Sequence, residues 1–376
     1  MIILYIFLFF ISLFYALQFI SYRFSWESIN SLNNSDYQAN NYFISVVIAC
    51  RNEEDNLHNI IRCLQNQDFD NSRFEVIFVN DHSNDETLNI LNNEAKKWSN
   101  LRVINMQNSY GKNKSIREGI LNSQGDIILC TDADCLMSPK WISSIYNYFN
   151  IYSVVFVSSP VILEENKALF HKFILLEFIS LIGSGASSIY QDKAIFCNGA
   201  NIAFRKSMYL DICESEFNNL FSDDSSLIRY VQKKYNDGIC FAKNKDCVVR
   251  TYSPRSFSSF LRQRVRWLYS STIDSDKNIS YLAYLVLIMN LSIFLLLVIP
   301  FFYYQYIFIF LFLILFLIKC IVDFIFLHPL LSFFNKKYLL IYLIPFEIIY
   351  SFYTILIVTL LLTLRPKWKG RILHEK

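Results

Sequence analysis

Residues 126–134 read Asp-Ile-Ile-Leu-Cys-Thr-Asp-Ala-Asp, an apolar run of strand type that ends abruptly in two carboxylates one residue apart. Upstream, Ile44 to Ala49, Phe74 to Val79 and Leu101 to Ile104 are similar β-branched or aromatic runs, and Val154 to Ser158 follows downstream. Polar, helix-like segments fall between them, around 53 to 66, 85 to 97, 114 to 123 and 139 to 150. That alternation predicts an α/β fold in which helices cover a parallel sheet. In open sheets of this kind ligands sit beyond the carboxyl ends of the strands, so the residues just after each run carry weight. They are polar: Arg51, Asn52 and Glu53; then Asn80, Asp81 and His82; then Thr131, Asp132, Ala133 and Asp134.

The chain has 376 residues, a prior of two to three structural units. Its 35 Lys and Arg against 32 Asp and Glu leave a charge of +3, which excludes nucleic acid as an electrostatically marked partner. A hydrophobic share of 53% exceeds that of ordinary soluble domains and argues against a wholly soluble protein. Nine cysteines lie scattered, with no paired spacing of the kind that holds zinc, and read as reduced core thiols of a cytosolic body.

Residues 1–22 carry no charge, and at about 1.5 Å per residue they span roughly 33 Å, enough for one crossing. The absence of a basic leader and of a small-residue cleavage site argues against a removed signal peptide. A polar linker follows, 23–43, and the middle region 44–278 is the expected cytosolic domain. From Ile279 to Ile318 no charge occurs, about 60 Å of helix, which fits two crossings hinged near Pro300 and Tyr303-Tyr304-Gln305. Tyr338 to Leu364 gives one more span, or an interfacial piece plus a span, so 279–364 is expected to hold about three apolar segments before the basic tail 365–376. Three crossings after a cytosolic middle set that tail against the positive-inside tendency. Lys319 and Asp323 lie one helical turn apart and are expected to pair with each other. The stretch 168–190 is apolar but broken by Gly183, Ser184 and Gly185, and reads as an interfacial helix.

The alternate carboxylates Asp132 and Asp134 can aim at one hard cation. Mg²⁺ or Mn²⁺ suits them, because such ions take one or two carboxylates together with substrate phosphates. Asp81, after the second strand, can accept an N–H from a planar base, whereas Ser83 and Asp85 read as helix caps and His82 as structural. Asp223 and Asp224 open a helical segment. Capping explains one of them, and the other is placed to deprotonate a hydroxyl nucleophile. Gln263-Arg264-Val265-Arg266-Trp267, with Arg255 and Arg262 nearby, is either a basic membrane-proximal collar or a site where Arg266 meets a diphosphate and Trp267 walls an acceptor.

In order along residues 44–267, these strings resemble inverting family 2 glycosyltransferases of GT-A fold, in the membrane-integrated branch of cellulose, hyaluronan and poly-N-acetylglucosamine synthases and ceramide glucosyltransferases. The marks are Ser45 to Glu54, the Asp81 segment, Gly111-Lys112, the Asp132-Ala133-Asp134 triplet, Asp223-Asp224 and the Gln263-x-x-Arg266-Trp267 pentad. The resemblance implies that Asp81 meets the nucleotide base, Lys112 serves the nucleotide side, Asp132 and Asp134 bind the diphosphate and its Mg²⁺ or Mn²⁺, and Asp224 is the catalytic base. It likewise implies that Arg266 serves the diphosphate, and that Asn198, Gly199, Asp223, Gln263 and Trp267 lie on the acceptor side. Two departures stand out: Asp223-Asp224 where the family has Glu-Asp, and Asn80-Asp81 where it has Asp-Asp.

The expected partners are a nucleotide-diphospho-sugar donor, a lipid-linked or glycan acceptor and the bilayer, and the expected location is the inner or plasma membrane with the catalytic domain in the cytosol. About four spans are few for a polymer channel and favour single transfer, while the pentad is associated with processive synthases. A nucleotide-binding membrane scaffold and a nucleotidyl- or phosphotransferase are the readings of other classes.

Overall fold

The computed structural model describes residues 1–30, 41–107, 109–150, 153–215, 224–235, 238–273, 277–302, 305–363, 367–368 and 371–372. Asp223, residues 31–40 of the polar linker, the Tyr303-Tyr304 hinge and most of the basic tail lie outside them. The chain forms two units. One comprises Ile29–Glu164 and Ser184–Tyr252, the other Met1–Ser28, Glu165–Gly183 and Ser253–Lys376.

The first unit is built on a seven-stranded sheet in the order Leu101–Asn105, Phe74–Asn80, Ile44–Cys50, Ile127–Thr131, Asn201–Arg205, Phe156–Ser158, Ile239–Phe241. The first four strands are parallel, with Cys50 paired to Asn80 and Val47 to Cys130. Residues 44–50 and 74–80 are buried almost throughout, as strands covered on both faces must be, and the buried Glu75 accepts from Ser45 Oγ (2.7 Å). The sheet departs from the all-parallel expectation at Asn201–Arg205, which enters antiparallel between Ile127–Thr131 and Phe156–Ser158. The fold is the expected α/β arrangement, with a mixed sheet.

Helix Lys112–Leu121 packs close over the sheet at Gly119, where a Cβ would stand 2.4 Å from Val47 Cγ1. A smaller sheet joins Leu136–Met137, Val249–Thr251 and Val161–Leu163. Trp141 and Asn201 are wholly buried: Trp141 Nε1 donates to Asn201 Oδ1 (3.0 Å), and Asn201 Nδ2 donates to the carbonyls of Pro160 and Cys247 (2.8 Å each). One buried amide thus ties the Trp141 indole to the backbone at Pro160 and Cys247. None of the nine cysteines is in a disulfide, and six are buried, in keeping with reduced core thiols.

The second unit holds long apolar helices. Ile2–Ser28, Lys277–Phe301, Tyr306–Phe333 and Lys337–Thr363 are long and apolar enough to cross a membrane, as is Leu169–Tyr190, which runs unbroken through Gly183 and Gly185. The first four leave most of their surface exposed, whereas Leu169–Tyr190 is buried along most of its length. Gly183 allows this, since a Cβ there would meet Leu330 at 2.5 Å. Ile2–Ser28 lies along Tyr306–Phe333 through Phe19 against Phe326 (5.3 Å between rings) and Trp26 against Phe333 (5.5 Å). Lys319 pairs with Asp323 (2.6 Å) as the spacing predicts, and also with Glu347 of Leu343–Thr363, while Tyr15 donates to Asp323 Oδ1 (2.8 Å).

Candidate active site

Parallel strands Ile44–Cys50, Phe74–Asn80 and Ile127–Thr131 end at one edge of the sheet, and the loops that follow are tied to each other there. Asp81 N donates to Cys50 O (2.9 Å), Asn52 N to Ser83 Oγ (3.0 Å), Asn84 N to Asn52 Oδ1 (2.9 Å) and Glu53 N to Thr87 Oγ1 (2.8 Å). Asn52 and His82 both adopt left-handed backbone (φ 54° and 53°), which lets each loop turn back sharply. Thr87 N donates to Asp85 Oδ1 (3.1 Å), so Asp85 serves the start of the next helix as expected.

Asp81 is 1% exposed, and both its oxygens already accept from the protein: Oδ2 from Gly111 N (3.0 Å), Oδ1 lying 3.1 Å from His82 Nδ1. The imidazole in turn lies against the Tyr110 ring, centroids 4.2 Å apart. His82 is therefore part of the edge, where the sequence reading gives it only a structural place. Gly111 (φ +107°) precedes Lys112, whose Nζ is 2.6 Å from Asp132 Oδ1. A single dipeptide, Gly111-Lys112, thus joins the Asp81 loop to the acidic triplet, the backbone N–H of one residue serving Asp81 and the ammonium of the next serving Asp132.

Asp134 sits deeper. Thr251 Oγ1 donates to its Oδ2 over 3.2 Å, from the strand that pairs with Leu136–Met137 just past the triplet. Burial, then the negative charges of Asp132 and Glu53, push its carboxyl up to about 6, against the opposing Thr251 hydrogen bond and Lys112. Among the described residues no group of three or more His, Cys, Asp or Glu side chains could hold a metal ion. Two oxygen-donor carboxylates with an excess of negative charge fit Mg²⁺ or Mn²⁺ in the way such ions are held with a substrate diphosphate, and do not form an all-protein cage. Glu53, already marked by its place after the first strand, and Thr251 bear on the triplet through space, and no spacing in the sequence points to Thr251.

Thr131 pairs with Asn201 across the antiparallel strands, so Asn198 and Gly199 arrive at the same edge as Asp132. Asn198 O accepts from Asn201 N (2.9 Å) and its Oδ1 from Ala200 N (3.1 Å), a turn that launches the strand. Asp224 is the first residue of helix Asp224–Lys234 in the same unit. Gln263, Arg266 and Trp267 lie on helix Phe257–Ile273 of the second unit, Trp267 beside Phe178 (6.2 Å between rings).

Residues 45–213 match the family described as Glycosyl transferase family 2. The probable glycosyltransferase YdaM of Bacillus subtilis is 26% identical over 232 residues, 60% of this chain and 54% of the relative. The β-monoglucosyldiacylglycerol synthase of Trichormus variabilis is 30% identical over 109 residues, 28% of this chain and 23% of the relative. The chain therefore spans about half, and about a quarter, of the length of these two curated relatives. Among solved structures, the mannosyltransferase PcManGT from Pyrobaculum calidifontis, in complex with GDP-Man and Mn²⁺, superposes over 95% of this chain and 97% of its own, with a TM-score of 0.60 at 16% identity. At that identity the likeness shows the fold. Fold and relatives alike resemble glycosyltransferases. More narrowly, the matched segment is similar to the family 2 glycosyltransferase domain.

Proposed function

We propose that the chain is a membrane-bound, inverting glycosyltransferase that moves one sugar from a nucleotide-diphosphate donor, a UDP-sugar in this reading, to a hydroxyl of a lipid-linked or glycan acceptor. The observation that carries it is the Gly111-Lys112 link between Asp81 and Asp132 at the carboxyl edge of the parallel strands. It supports a base pocket at Asp81 and a diphosphate pocket at Lys112, Asp132 and Asp134, one dipeptide apart. Names of relatives point the same way: one makes a glucosyl diacylglycerol and the structural neighbour is bound to a nucleotide sugar. The apolar helices fit a bilayer by length and composition, which supports an acceptor presented at the membrane. The membrane-integrated branch of the family is part of this reading, with the catalytic unit on the cytosolic side of the plasma or inner membrane.

The reaction is a single displacement. The acceptor oxygen bonds to the anomeric carbon as the bond from that carbon to the diphosphate oxygen breaks, and the acceptor proton passes to the Asp224 carboxylate, so the configuration inverts. Lys112 and Arg266 bring positive charge to the leaving diphosphate, electrostatic help of the kind that often supplies the largest catalytic contribution. Mg²⁺ or Mn²⁺ bound by Asp132 and Asp134 would offset the same growing charge. Asn198, Gly199, Asp223, Gln263 and Trp267 are assigned to the acceptor side.

The test is release of nucleoside diphosphate by purified protein in detergent, over UDP-glucose, UDP-N-acetylglucosamine and GDP-mannose with Mg²⁺ or Mn²⁺, beside Asp224→Asn. Metal-dependent release with one donor, lowered about 10²- to 10⁴-fold in the variant while nucleotide still binds, is the expected result. Nucleotide binding without turnover, with native membranes added as acceptor, would leave a binding scaffold. Product length separates single transfer from the processive synthesis that the Gln263-x-x-Arg266-Trp267 pentad would also suit.

A further inference from the structure

Between the first and last members of the pentad lies a residue that the function above does not use. Arg264 is 5% exposed, on helix Phe257–Ile273. Every nitrogen of its guanidinium donates: Nε to Glu177 Oε1 (2.8 Å), Nη2 to Glu177 Oε2 (2.5 Å) and Nη1 to Gln263 Oε1 (2.8 Å). The plane lies between the rings of Phe260 and Trp267, one helical turn to either side, its carbon 4.8 Å and 4.4 Å from their centroids. Glu177 is also buried and accepts from Tyr353 Oη as well (3.4 Å), and its neighbour Phe178 packs on Trp267.

We propose that Arg264 is a positioning residue that sets both Gln263 and Trp267 for the acceptor. The chemistry of the guanidinium fixes the first of these. Arginine has only donors, so the Gln263 atom facing it is the amide oxygen, and the Nε2 amino group is turned the other way. Gln263 then offers a hydrogen-bond donor, suited to a sugar hydroxyl or phosphate oxygen, and not an acceptor. The Trp267 ring is fixed by the same group through its stacked face, where a planar, weakly hydrated cation packs better than an ammonium. The bidentate fork to Glu177 holds the guanidinium in one plane, and that plane dictates the orientation of both neighbours.

This inference rests on the acceptor-side reading of Gln263 and Trp267. Its test is a double-mutant cycle of Arg264→Lys with Gln263→Ala in the full-length protein in detergent. Nucleoside diphosphate release is read with UDP-glucose, or with whichever of UDP-N-acetylglucosamine and GDP-mannose turns over, and with total lipid extract of the expression host as acceptor. Arg264→Lys keeps the charge but loses the fork and the plane. It is expected to lower kcat about tenfold or more with the donor KM unchanged, as small misplacements of reacting groups do. In the Gln263→Ala background the same change is expected to cost at least about threefold less than in the parent, because one of the two residues it orients is gone and only the part that acts through Trp267 is left.

Full multiplication of the two losses would overturn the proposal and leave Arg264 a packing element. A Gln263→Ala enzyme with unchanged kcat and acceptor KM would overturn the acceptor-side reading itself, and the proposal with it. Should Arg264→Lys not fold, Glu177→Gln, which turns an amino group toward the fork, enters the same cycle with the same expectation. Failure of both variants to give monodisperse protein assigns the pair to folding alone and also overturns the proposal.

Discussion

Lys112 Nζ lies 2.6 Å from Asp132 Oδ1, one residue after the Gly111 N–H that donates to Asp81. Both members of the pair are about a third exposed on their side chains, so the pair itself contributes little to stability, of the order of 0–1 kcal/mol. Its use is positional. Lys112→Met is therefore expected to leave thermal stability nearly unchanged while weakening nucleoside-diphosphate binding about tenfold, the equivalent of one charge-assisted hydrogen bond. Calorimetric titration with UDP and Mn²⁺ measures it, and a large fall in melting temperature with unchanged affinity would reverse the assignment.

The Asp134 carboxyl stands at about 6, raised by burial and by Asp132 and Glu53 from an ordinary 3.8. The folded protein then binds more protons here than the unfolded chain. In the metal-free protein the stabilising part is fully present below about 4 and is lost as pH rises through about 6, at most about 3 kcal/mol for this shift. A divalent ion reverses the trend because it needs the ionised carboxylate. Mn²⁺ is expected to raise the melting temperature more at pH 7.5 than at pH 5, and to lose affinity up to about tenfold for each unit below 6. Equal Mn²⁺ stabilisation at both pH values would place the ion elsewhere.

Four parallel strands and the polar edge beyond them are legible in the sequence, because each strand is a mainly β-branched or aromatic run and polar residues follow directly. The antiparallel strand Asn201–Arg205 is not, since its apolar core is only Ile202-Ala203-Phe204 and its direction is decided by pairing with residues some seventy positions away. Nor is the role of Asn201, the buried amide that ties the Trp141 indole to the backbone at Pro160 and Cys247. Likewise Lys319 and Asp323 are visible as a helical pair, but Glu347, which appears in sequence as an interruption of an apolar stretch, completes the group only across helices. Glycines at 183 and 185 look like helix breakers, yet they mark close approach, to Leu330 and to Phe196, within a continuous helix.

Gly111 and Gly119 separate two uses of the same residue. At Gly111 a Cβ would meet nothing within 4 Å, but φ is +107° with ψ 150°, a region essentially reserved for glycine. Gly111→Ala is expected to cost about 1–3 kcal/mol by strain and to weaken donor binding, because relaxing the backbone withdraws the N–H from Asp81. At Gly119 the backbone is helical and the cost is steric, with Val47 Cγ1 at 2.4 Å and Val79 Cγ2 at 3.0 Å. Gly119→Ala should likewise cost about 1–3 kcal/mol by overpacking. Paired measurements of melting temperature and UDP affinity distinguish them: both variants lose stability, and Gly111→Ala has the larger loss of affinity.

Lys319, 1% exposed, faces Asp323 and Glu347, and Tyr15 donates to Asp323, joining Ile2–Ser28, Tyr306–Phe333 and Leu343–Thr363 at one polar point. Removing the cation alone leaves two buried carboxylates beside each other with no countercharge. Lys319→Met is accordingly expected to destabilise the protein by about 3–5 kcal/mol, whereas Lys319→Met with Asp323→Leu and Glu347→Leu should recover most of that loss, since an apolar replacement of a buried ionic group is often neutral. Tyr15→Phe, which removes one neutral donor from a carboxylate that keeps its lysine, should cost only about 1 kcal/mol. Unfolding in a single detergent, followed by near-ultraviolet circular dichroism, gives the three values on one scale. If the triple variant is as unstable as Lys319→Met, the loss comes from packing at this point of the helices and not from unpaired charge.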